Sequence, residues 1–269
     1  MGSKTELPLA HRSDADLPGH WLLARLGKKV LRPGGLELTT RLLDAARIAG
    51  ADVVELGPGL GRTAADIAVR QPRSYTGVDA SSTTATPLQN VVAATGGRLV
   101  AADAAETGLE AGSADVVVGE AMLTMQGEKA KRDIVAEAFR VLRPGGRYAI
   151  HELGLMPDDL ADEIKDDVRR DMSRAIKVNA RPLTVAEWTA LLVDAGFDVT
   201  RVDRAPMALL QPRRLVADEG VLGALRILGN VLAHPDARRR GVQMRATFRR
   251  YRKELTAVAI VAVVPGGDR

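Results

Sequence analysis

The chain has 269 residues, 46% of them hydrophobic and 27% charged, which is typical of an ordinary soluble globular protein. Its formal charge of +4 does not by itself indicate a nucleic-acid partner, and no apolar run approaches the roughly 20 residues that cross a bilayer, so we expect a cytoplasmic protein. The absence of cysteine excludes disulfides, thiolate ligands and a cysteine nucleophile, and the four scattered histidines suggest no zinc site, so we expect no metal.

The first fifty residues precede the regular part of the chain. Residues 1–17 are polar and mixed, and helical patterns follow over 21–31 and 36–48. The segment Arg32-Pro33-Gly34-Gly35 separates the two patterns, because proline and glycine interrupt helices. Gly50 stands where a C-terminal helix cap is expected. We therefore interpret 1–50 as a tail followed by capping helices.

From residue 51 onward, short apolar runs alternate with amphipathic segments. Strands are predicted over 51–56, 74–79, 98–102, 114–119, 147–151, 197–202 and 255–264. Helices are predicted over 63–69 and 130–142, and a third opens at the capping box of Thr184 and Glu187 and closes at Gly196. This alternation predicts an α/β fold with a mostly parallel seven-stranded sheet and helices on both faces. Residues 51–204 would form the core, 205–254 a helical insertion or lid, and 255–269 the last strand and tail.

The turn after the first predicted strand carries the strongest functional signal. Glu55 is followed by Gly57, Gly59 and Gly61 at alternating positions, and the helix begins at Thr63. Glycine permits a tight turn and lets a ligand approach the backbone without meeting a Cβ. Such turns hold nucleotide cofactors at the carboxyl ends of parallel strands. The spacing is E-x-G-x-G-x-G instead of the G-x-G-x-x-G of dinucleotide-binding turns, which disfavours NAD.

Three further segments follow in order. A carboxylate, Asp79, ends the second predicted strand, Asp103-Ala104 follows the third, and Arg143-Pro144-Gly145-Gly146 precedes the fifth. Together with the glycine turn, these segments resemble the motifs of class I, Rossmann-like S-adenosylmethionine-dependent methyltransferases, in particular their small-molecule branch. The resemblance covers residues 45 to 203 and implies the seven-stranded fold of that family.

The resemblance also implies a cofactor site. Residues expected to bind S-adenosylmethionine are Glu55, Gly57, Gly59, Gly61, Asp79, Ala80, Asp103, Ala104, Glu120 and Ala121. Of these, Glu55 and the glycines would approach the methionine part, and Asp79 would hold both ribose hydroxyls. Asp103 and Ala104 would meet the adenine, although Asp103 could equally cap its own turn. Residues 81–84 depart from the family, since many relatives carry a more hydrophobic residue there against the adenine.

Methyl transfer from a sulfonium has an activated leaving group, so positioning can supply much of the rate. A base is needed only if the nucleophile enters protonated. His151 is the first candidate for a base or a substrate hydrogen-bonder, followed by Glu120 and Glu152. His20 and Trp21 are candidates for substrate binding. Each of these side chains could instead have only a structural role. Four methionines are candidates for an apolar substrate pocket, namely Met122, Met125, Met156 and Met207.

The sequence therefore predicts methyl transfer from S-adenosylmethionine, with S-adenosylhomocysteine as product, to a small and partly hydrophobic molecule. Two alternatives stay open. An RNA or protein methyltransferase is suggested by the basic segment 238–253, although no Asn-Pro-Pro-Tyr-type element follows the fourth strand, so nucleic acid is not the favoured partner. A non-catalytic S-adenosylmethionine-binding protein would show cofactor binding without turnover. A homodimer is compatible with the sequence.

Overall fold

The computed structural model describes residues 13–14, 16–28, 31–80, 86–207, 209 and 212–266. Segment 81–84 and most of the predicted tail lie outside the described residues. The described strands are β1 (Asp52–Leu56), β2 (Ser74–Asp79), β3 (Arg98–Ala101), β4 (Ala114–Glu120), β5 (Leu142–Leu155), β6 (Leu183–Thr184), β7 (Asp198–Pro206) and β8 (Leu255–Val263).

Helices cover both faces of the sheet and its carboxyl-terminal end. The described helices are α1 (Gly19–Arg25), α2 (Gly35–Ala46), α3 (Arg62–Ala68), α4 (Thr86–Thr95), α5 (Glu128–Val141), α6 (Asp162–Ile176), α7 (Val185–Asp194), α8 (Pro212–Ala233) and α9 (Pro235–Arg250). Helices α8 and α9 lie between β7 and β8 in the chain. Among the described residues, no helix is both long and apolar enough to cross a membrane.

The strands form one mixed sheet in the order β3-β2-β1-β4-β5-β8-β7, and the short β6 pairs with β5. Strands β1 to β5 run parallel, whereas β8 is antiparallel to both of its neighbours. All seven predicted strands are present, and β6 adds an eighth. The strand order reverses between β1 and β4, so a crevice opens at their carboxyl ends, where α/β proteins bind ligands.

Some predicted boundaries are wrong. Helix α1 ends at Arg25, well before the expected residue 31, because Gly27 has a φ of 102° that no helix continues. Helix α2 ends at Ala46 with Arg47 in the left-handed region, so Gly50 is not its cap. Strand β5 begins at Leu142 and not at the expected residue 147, so it includes the Arg-Pro-Gly-Gly segment. The pairing of β5 with β4 is irregular there. The capping box at Thr184 is confirmed.

Two apolar layers enclose the sheet. On one face, α5 and α7 pack through a cluster that includes Trp188, Phe197 and Ile134. On the other face, α2 and α3 pack through a cluster that includes Leu42 and Ile67. A separate apolar cluster joins α1 to α9, and another joins α6 to the end of β5. Helices α1, α6 and α9 therefore cover the carboxyl-terminal end of the sheet, above the crevice.

Candidate active site

The glycine turn connects β1 to α3, and its three glycines are required for different reasons. All three have positive φ, 66° at Gly57, 51° at Gly59 and 74° at Gly61. A Cβ on Gly61 would lie 2.8 Å from the backbone of Leu88, so this glycine lets α3 and α4 pack closely. A Cβ on Gly57 or Gly59 would meet no atom closer than 3.7 Å. The first two glycines therefore leave space for a ligand, whereas the third is required by packing.

This difference predicts the effect of alanine at Gly61 compared with Gly50. Both glycines have positive φ, 74° and 69°, so alanine costs about 1–2 kcal/mol of backbone strain at either position. At Gly50 an added Cβ meets nothing within 4 Å, whereas at Gly61 it overlaps Leu88. Urea unfolding should therefore show Gly61→Ala to be less stable than Gly50→Ala by about 1–3 kcal/mol, the cost of overpacking. Equal losses in the two variants would contradict the packing role of Gly61.

A cavity of about 610 Å³ begins at this turn. Most of the predicted site residues line it: Glu55, Gly57, Gly59, Asp79, Ala80, Asp103, Ala104, Glu120, Ala121, His20 and Trp21. Its other lining residues include apolar side chains from α1, α6 and α9, among them Leu23, Met172, Ile176, Met244 and Phe248. Of the four candidate methionines, Met122, Met125 and Met207 line the cavity, whereas Met156 does not and is 39% exposed.

Glu55 lies at the end of β1 with its side chain buried beneath the turn. The Tyr75 hydroxyl donates a hydrogen bond of 2.6 Å to its Oε2. Burial raises the pKa of Glu55 to about 8, against the lowering effect of the Tyr75 hydrogen bond. Glu55 is therefore mostly protonated at pH 7. A cation placed beside it would favour the ionised carboxylate.

The carboxylates of Asp79 and Asp103 lie at the ends of β2 and β3. Oδ2 of Asp79 accepts a hydrogen bond of 3.3 Å from the amide of Gly59, which links it to the glycine turn. Oδ1 of Asp103 accepts a hydrogen bond of 2.8 Å from the amide of Ala105, so this carboxylate does cap its own turn. Both side chains still line the cavity.

Glu120, at the end of β4, lies at the centre of a buried polar network. Its carboxylate accepts hydrogen bonds from Thr39 of α2 and Thr63 of α3, and Nε of Arg32 lies 3.0 Å from its Oε2. Nδ1 of His151 lies 2.9 Å from its Oε1. Burial by itself would raise the pKa of Glu120, but Arg32, His151 and Thr39 outweigh that effect and hold it at about 2. Glu120 is therefore ionised and a poor proton acceptor.

His151 does not occupy the position that the sequence suggested. Its side chain is fully buried and does not line the cavity. Nε2 accepts a hydrogen bond of 3.1 Å from the amide of Gly34, so the ring proton lies on Nδ1 and is directed at Glu120. Both ring nitrogens are engaged by protein groups, and in this arrangement the imidazole does not reach the cavity. These contacts position Glu120, and the catalytic or substrate-binding role expected for His151 stays a prediction.

Glu152 is likewise structural. Adjacent residues of a strand point to opposite faces, and Glu152 points to the side away from α2. Its carboxylate accepts hydrogen bonds from the amides of Met122, Leu123 and Thr124 at 3.0, 2.8 and 3.0 Å, and from the Thr124 hydroxyl at 2.7 Å. It holds the turn after β4 and does not line the cavity. These contacts give Glu152 a structural role in this arrangement, and the catalytic role expected from the sequence stays a prediction.

Sequence reasoning missed Arg32, Thr39 and Thr63. Arg32 lies in the segment that was interpreted only as a helix breaker, yet its side chain is 5% exposed and lines the cavity. Its Nη2 donates to Thr63 and Asp66, each at 3.0 Å. Within the described part of the chain, its buried Nη1 has no hydrogen-bond partner. An arginine between a leucine and a proline gave no pattern from which these long-range contacts could be read.

Comparison with known proteins agrees with this geometry. Residues 54–150 match the family model of a methyltransferase domain. An uncharacterized protein of Haemophilus influenzae is 33% identical over 222 residues, which cover 81% of this chain and 86% of that protein. The chain therefore carries a methyltransferase domain of the class I, S-adenosylmethionine-dependent kind over residues 54–150.

Two solved structures show how widely the fold is shared. The [4+2]-cyclase SpnF superposes with a TM-score of 0.68 at 14% identity, over 91% of this chain and 93% of that one. Phosphoethanolamine N-methyltransferase 2 of Haemonchus contortus, in complex with S-adenosyl-L-methionine, gives a TM-score of 0.68 at 19% identity, over 94% of this chain and 57% of that one. At these identities the likeness concerns the fold. Within the described residues, no cluster of side chains suits a metal ion.

Proposed function

We propose that this protein binds S-adenosylmethionine in the crevice at the ends of β1 to β4 and methylates a small, partly hydrophobic molecule held beneath α1, α6 and α9. The cavity of about 610 Å³ carries this proposal, because it joins the glycine turn and two carboxylates to an apolar chamber. Enclosed apolar pockets with a few polar groups are typical of small-molecule sites.

The residues present fit the cofactor. Gly57 and Gly59 leave open space for its methionine part, and Asp79 offers a carboxylate to two adjacent hydroxyls. The buried Nη1 of Arg32 can donate to the carboxylate of the cofactor, and Glu55 can accept from its ammonium group. When bound, S-adenosylmethionine supplies a methyl group on a positively charged sulfur.

The protein's own contribution to the reaction is positioning and exclusion of water. The apolar side chains from α1, α6 and α9 remove water from the acceptor, which strengthens the polar contacts that remain. Burial lowers the pKa of His20 to about 4, so its imidazole is neutral and can make one hydrogen bond to the acceptor. Trp21 stands beside it, with ring centroids 4.9 Å apart. Because Glu120 is a poor base, we expect an acceptor that loses its proton without a strong base.

The claim that the protein binds S-adenosylmethionine is tested by calorimetric titration with S-adenosylmethionine, S-adenosylhomocysteine and NAD. Binding of both adenosyl compounds and not of NAD is expected. The claim that the acceptor is a small molecule is tested by transfer of a labelled methyl group from the cofactor. The acceptors offered are small aromatic, aliphatic and amine compounds, with RNA and protein in parallel assays. If only RNA or only protein is labelled, the acceptor is that macromolecule and not a small molecule. Tight binding without any turnover would indicate a non-catalytic protein, and no adenosyl binding would contradict the proposal.

Cofactor binding should release a proton from Glu55. The pKa of this buried group is about 8, so the unliganded protein carries the proton at pH 7. A bound ammonium favours the carboxylate, so the complex holds fewer protons and affinity rises with pH. Between pH 6 and 7.5 we expect the affinity to increase, by at most about tenfold per pH unit. Calorimetry in buffers of different ionisation enthalpy measures the release directly. Glu55→Gln should abolish the proton release, and an unchanged release would contradict the assignment.

A further inference from the structure

The second half of α8 exposes an apolar face. Gly220, with a φ of 73°, interrupts α8, so residues 221–233 form a separate helical segment. Its exposed large apolar side chains recur at helical spacing and comprise Val221, Leu222, Leu225, Leu228 and Leu232. Leu222 is 83% exposed. Soluble proteins seldom leave such a contiguous patch in water unless it contacts something.

The opposite side of the same segment anchors it to the protein. Ile227 is buried, and Val231 packs with the cluster that joins α1 to α9. The side-chain amide of Asn230 donates a hydrogen bond of 2.9 Å to the carbonyl of Leu26. The helix is therefore held by its inner side, whereas the apolar side stays exposed within the described part of the chain.

Helix α9 follows α8 after His234 and contributes a basic face. The exposed cationic residues of α9 and of the turn after it are Arg238, Arg239, Arg245, Arg249, Arg250, Arg252 and Lys253. Asp236 is paired with Arg239, and Asp171 with Arg250. The basic side chains outnumber these two acids, so the face is positively charged. We call residues 221–253 the α8–α9 surface.

We propose that the α8–α9 surface docks this protein onto an anionic membrane surface. The leucines of α8 would enter the headgroup region, and the arginines of α9 would meet lipid phosphates. Helices that lie in the plane of a membrane combine exposed apolar residues with basic ones, and here the leucines of α8 and the arginines of α9 supply these two parts. Anionic lipids attract such basic segments.

The charge of this surface argues against two other occupants. A second copy packed face to face would bring two rows of arginines together, which is unfavourable. RNA would satisfy the arginines but leave the leucine stripe in water. An anionic lipid surface satisfies both features.

Docking would also place the cavity beside the membrane. Met244 and Phe248, on the inner side of α9, line the cavity whose acceptor chamber we proposed above. The acceptor would then be an amphiphile that partitions into the bilayer. This last step rests on the proposed function, whereas the docking itself does not.

Vesicle flotation of the full chain tests the docking. The probes are vesicles of phosphatidylcholine alone and of phosphatidylcholine mixed with phosphatidylglycerol. We expect binding to the anionic vesicles, weakened by salt, and little binding to the neutral ones. The triple variant Leu222→Gln, Leu225→Gln and Leu228→Gln should bind at least tenfold more weakly. The double variant Arg238→Glu and Arg245→Glu should show a similar loss.

Matched controls change exposed side chains elsewhere. Val69→Gln with Val193→Gln replaces exposed apolar residues on α3 and α7, and Arg132→Glu reverses a charge on α5. These variants should float like the parent protein, and all variants should keep their affinity for S-adenosylmethionine. The proposal would be overturned if the parent protein did not float with anionic vesicles, or if the leucine variant floated equally well. It would also be overturned by a dimer in solution that the leucine variant abolishes, or by salt-sensitive RNA binding in place of vesicle binding.

Discussion

Replacing Asp79 with alanine is expected to weaken binding of S-adenosylmethionine by about 100-fold. Asp79 ends β2, lines the cavity and is tied to the glycine turn through the Gly59 amide. Each hydrogen bond to a charged acceptor contributes about 1.5–3 kcal/mol, and two adjacent ribose hydroxyls would lose their common partner. The 100-fold change corresponds to about 2.7 kcal/mol, which is near the lower end of what the loss of two such hydrogen bonds would give. Calorimetric titration measures it.

Two companion variants make the Asp79 result specific. Asp79→Asn keeps one acceptor oxygen without the charge, so its loss should be intermediate. Asp103→Ala should cause a smaller loss, because the Ala104 amide would still meet the adenine, whereas the two ribose hydroxyls would have no second partner in place of Asp79. Thermal unfolding without cofactor should differ little between Asp79→Asn and the parent. If Asp79→Ala binds as tightly as the parent, the ribose site lies elsewhere.

Glu120→Ala is expected to lower the free energy of unfolding by about 3–5 kcal/mol, the usual cost of breaking a buried ion pair from one side. Among the described residues, the variant would leave the buried Arg32 with Asp66 as its one anionic partner, and it would remove the acceptor of Thr39 and Thr63. The pKa of Glu120 is about 2, below its ordinary value of 4.5. Its contribution is therefore fully present above pH 4.5 and lost as the pH falls toward 2.

Urea unfolding of Glu120→Ala and Glu120→Gln measures this loss. The glutamine variant retains the shape and some hydrogen bonds but not the charge, so its loss should be smaller. Asp133→Ala is the matched control, because Asp133 also lines the cavity but pairs with Lys129 on the surface, where such pairs contribute about 0–1 kcal/mol. A Glu120→Ala variant as stable as the control would show that the network does not hold the site together.

The residues proposed to bind the cofactor could be placed at one edge of the sheet from the sequence, because they follow local signals. Each of Glu55, Asp79 and Asp103 comes at or just after the end of an apolar run, and parallel strands bring such ends to one edge. The glycine spacing is equally local. These residues all line one cavity in the structure.

Two of the catalytic candidates, His151 and Glu152, do not line the cavity, for a physical reason that the sequence does not show. His151 and Glu152 are adjacent, and the pleat of β5 sends them to opposite faces of the sheet. The register of β4 and β5 places His151 opposite Glu120. The His151 side chain is then covered by Gly34, just before α2, and by Thr39 of α2. A strand-end position therefore predicted proximity to the site but not access to it.

By itself, the sequence determined the alternation of strands and helices, the family, and the carboxylates and glycines at the strand ends, since all of these follow from short-range periodicity and spacing. The tertiary structure alone decided that Arg32, Thr39 and Thr63 converge on Glu120 and that α1, α6 and α9 enclose an apolar chamber. It also decided which side of α8 is exposed. These features depend on contacts between residues far apart in the chain, whose geometry is set by packing of whole elements.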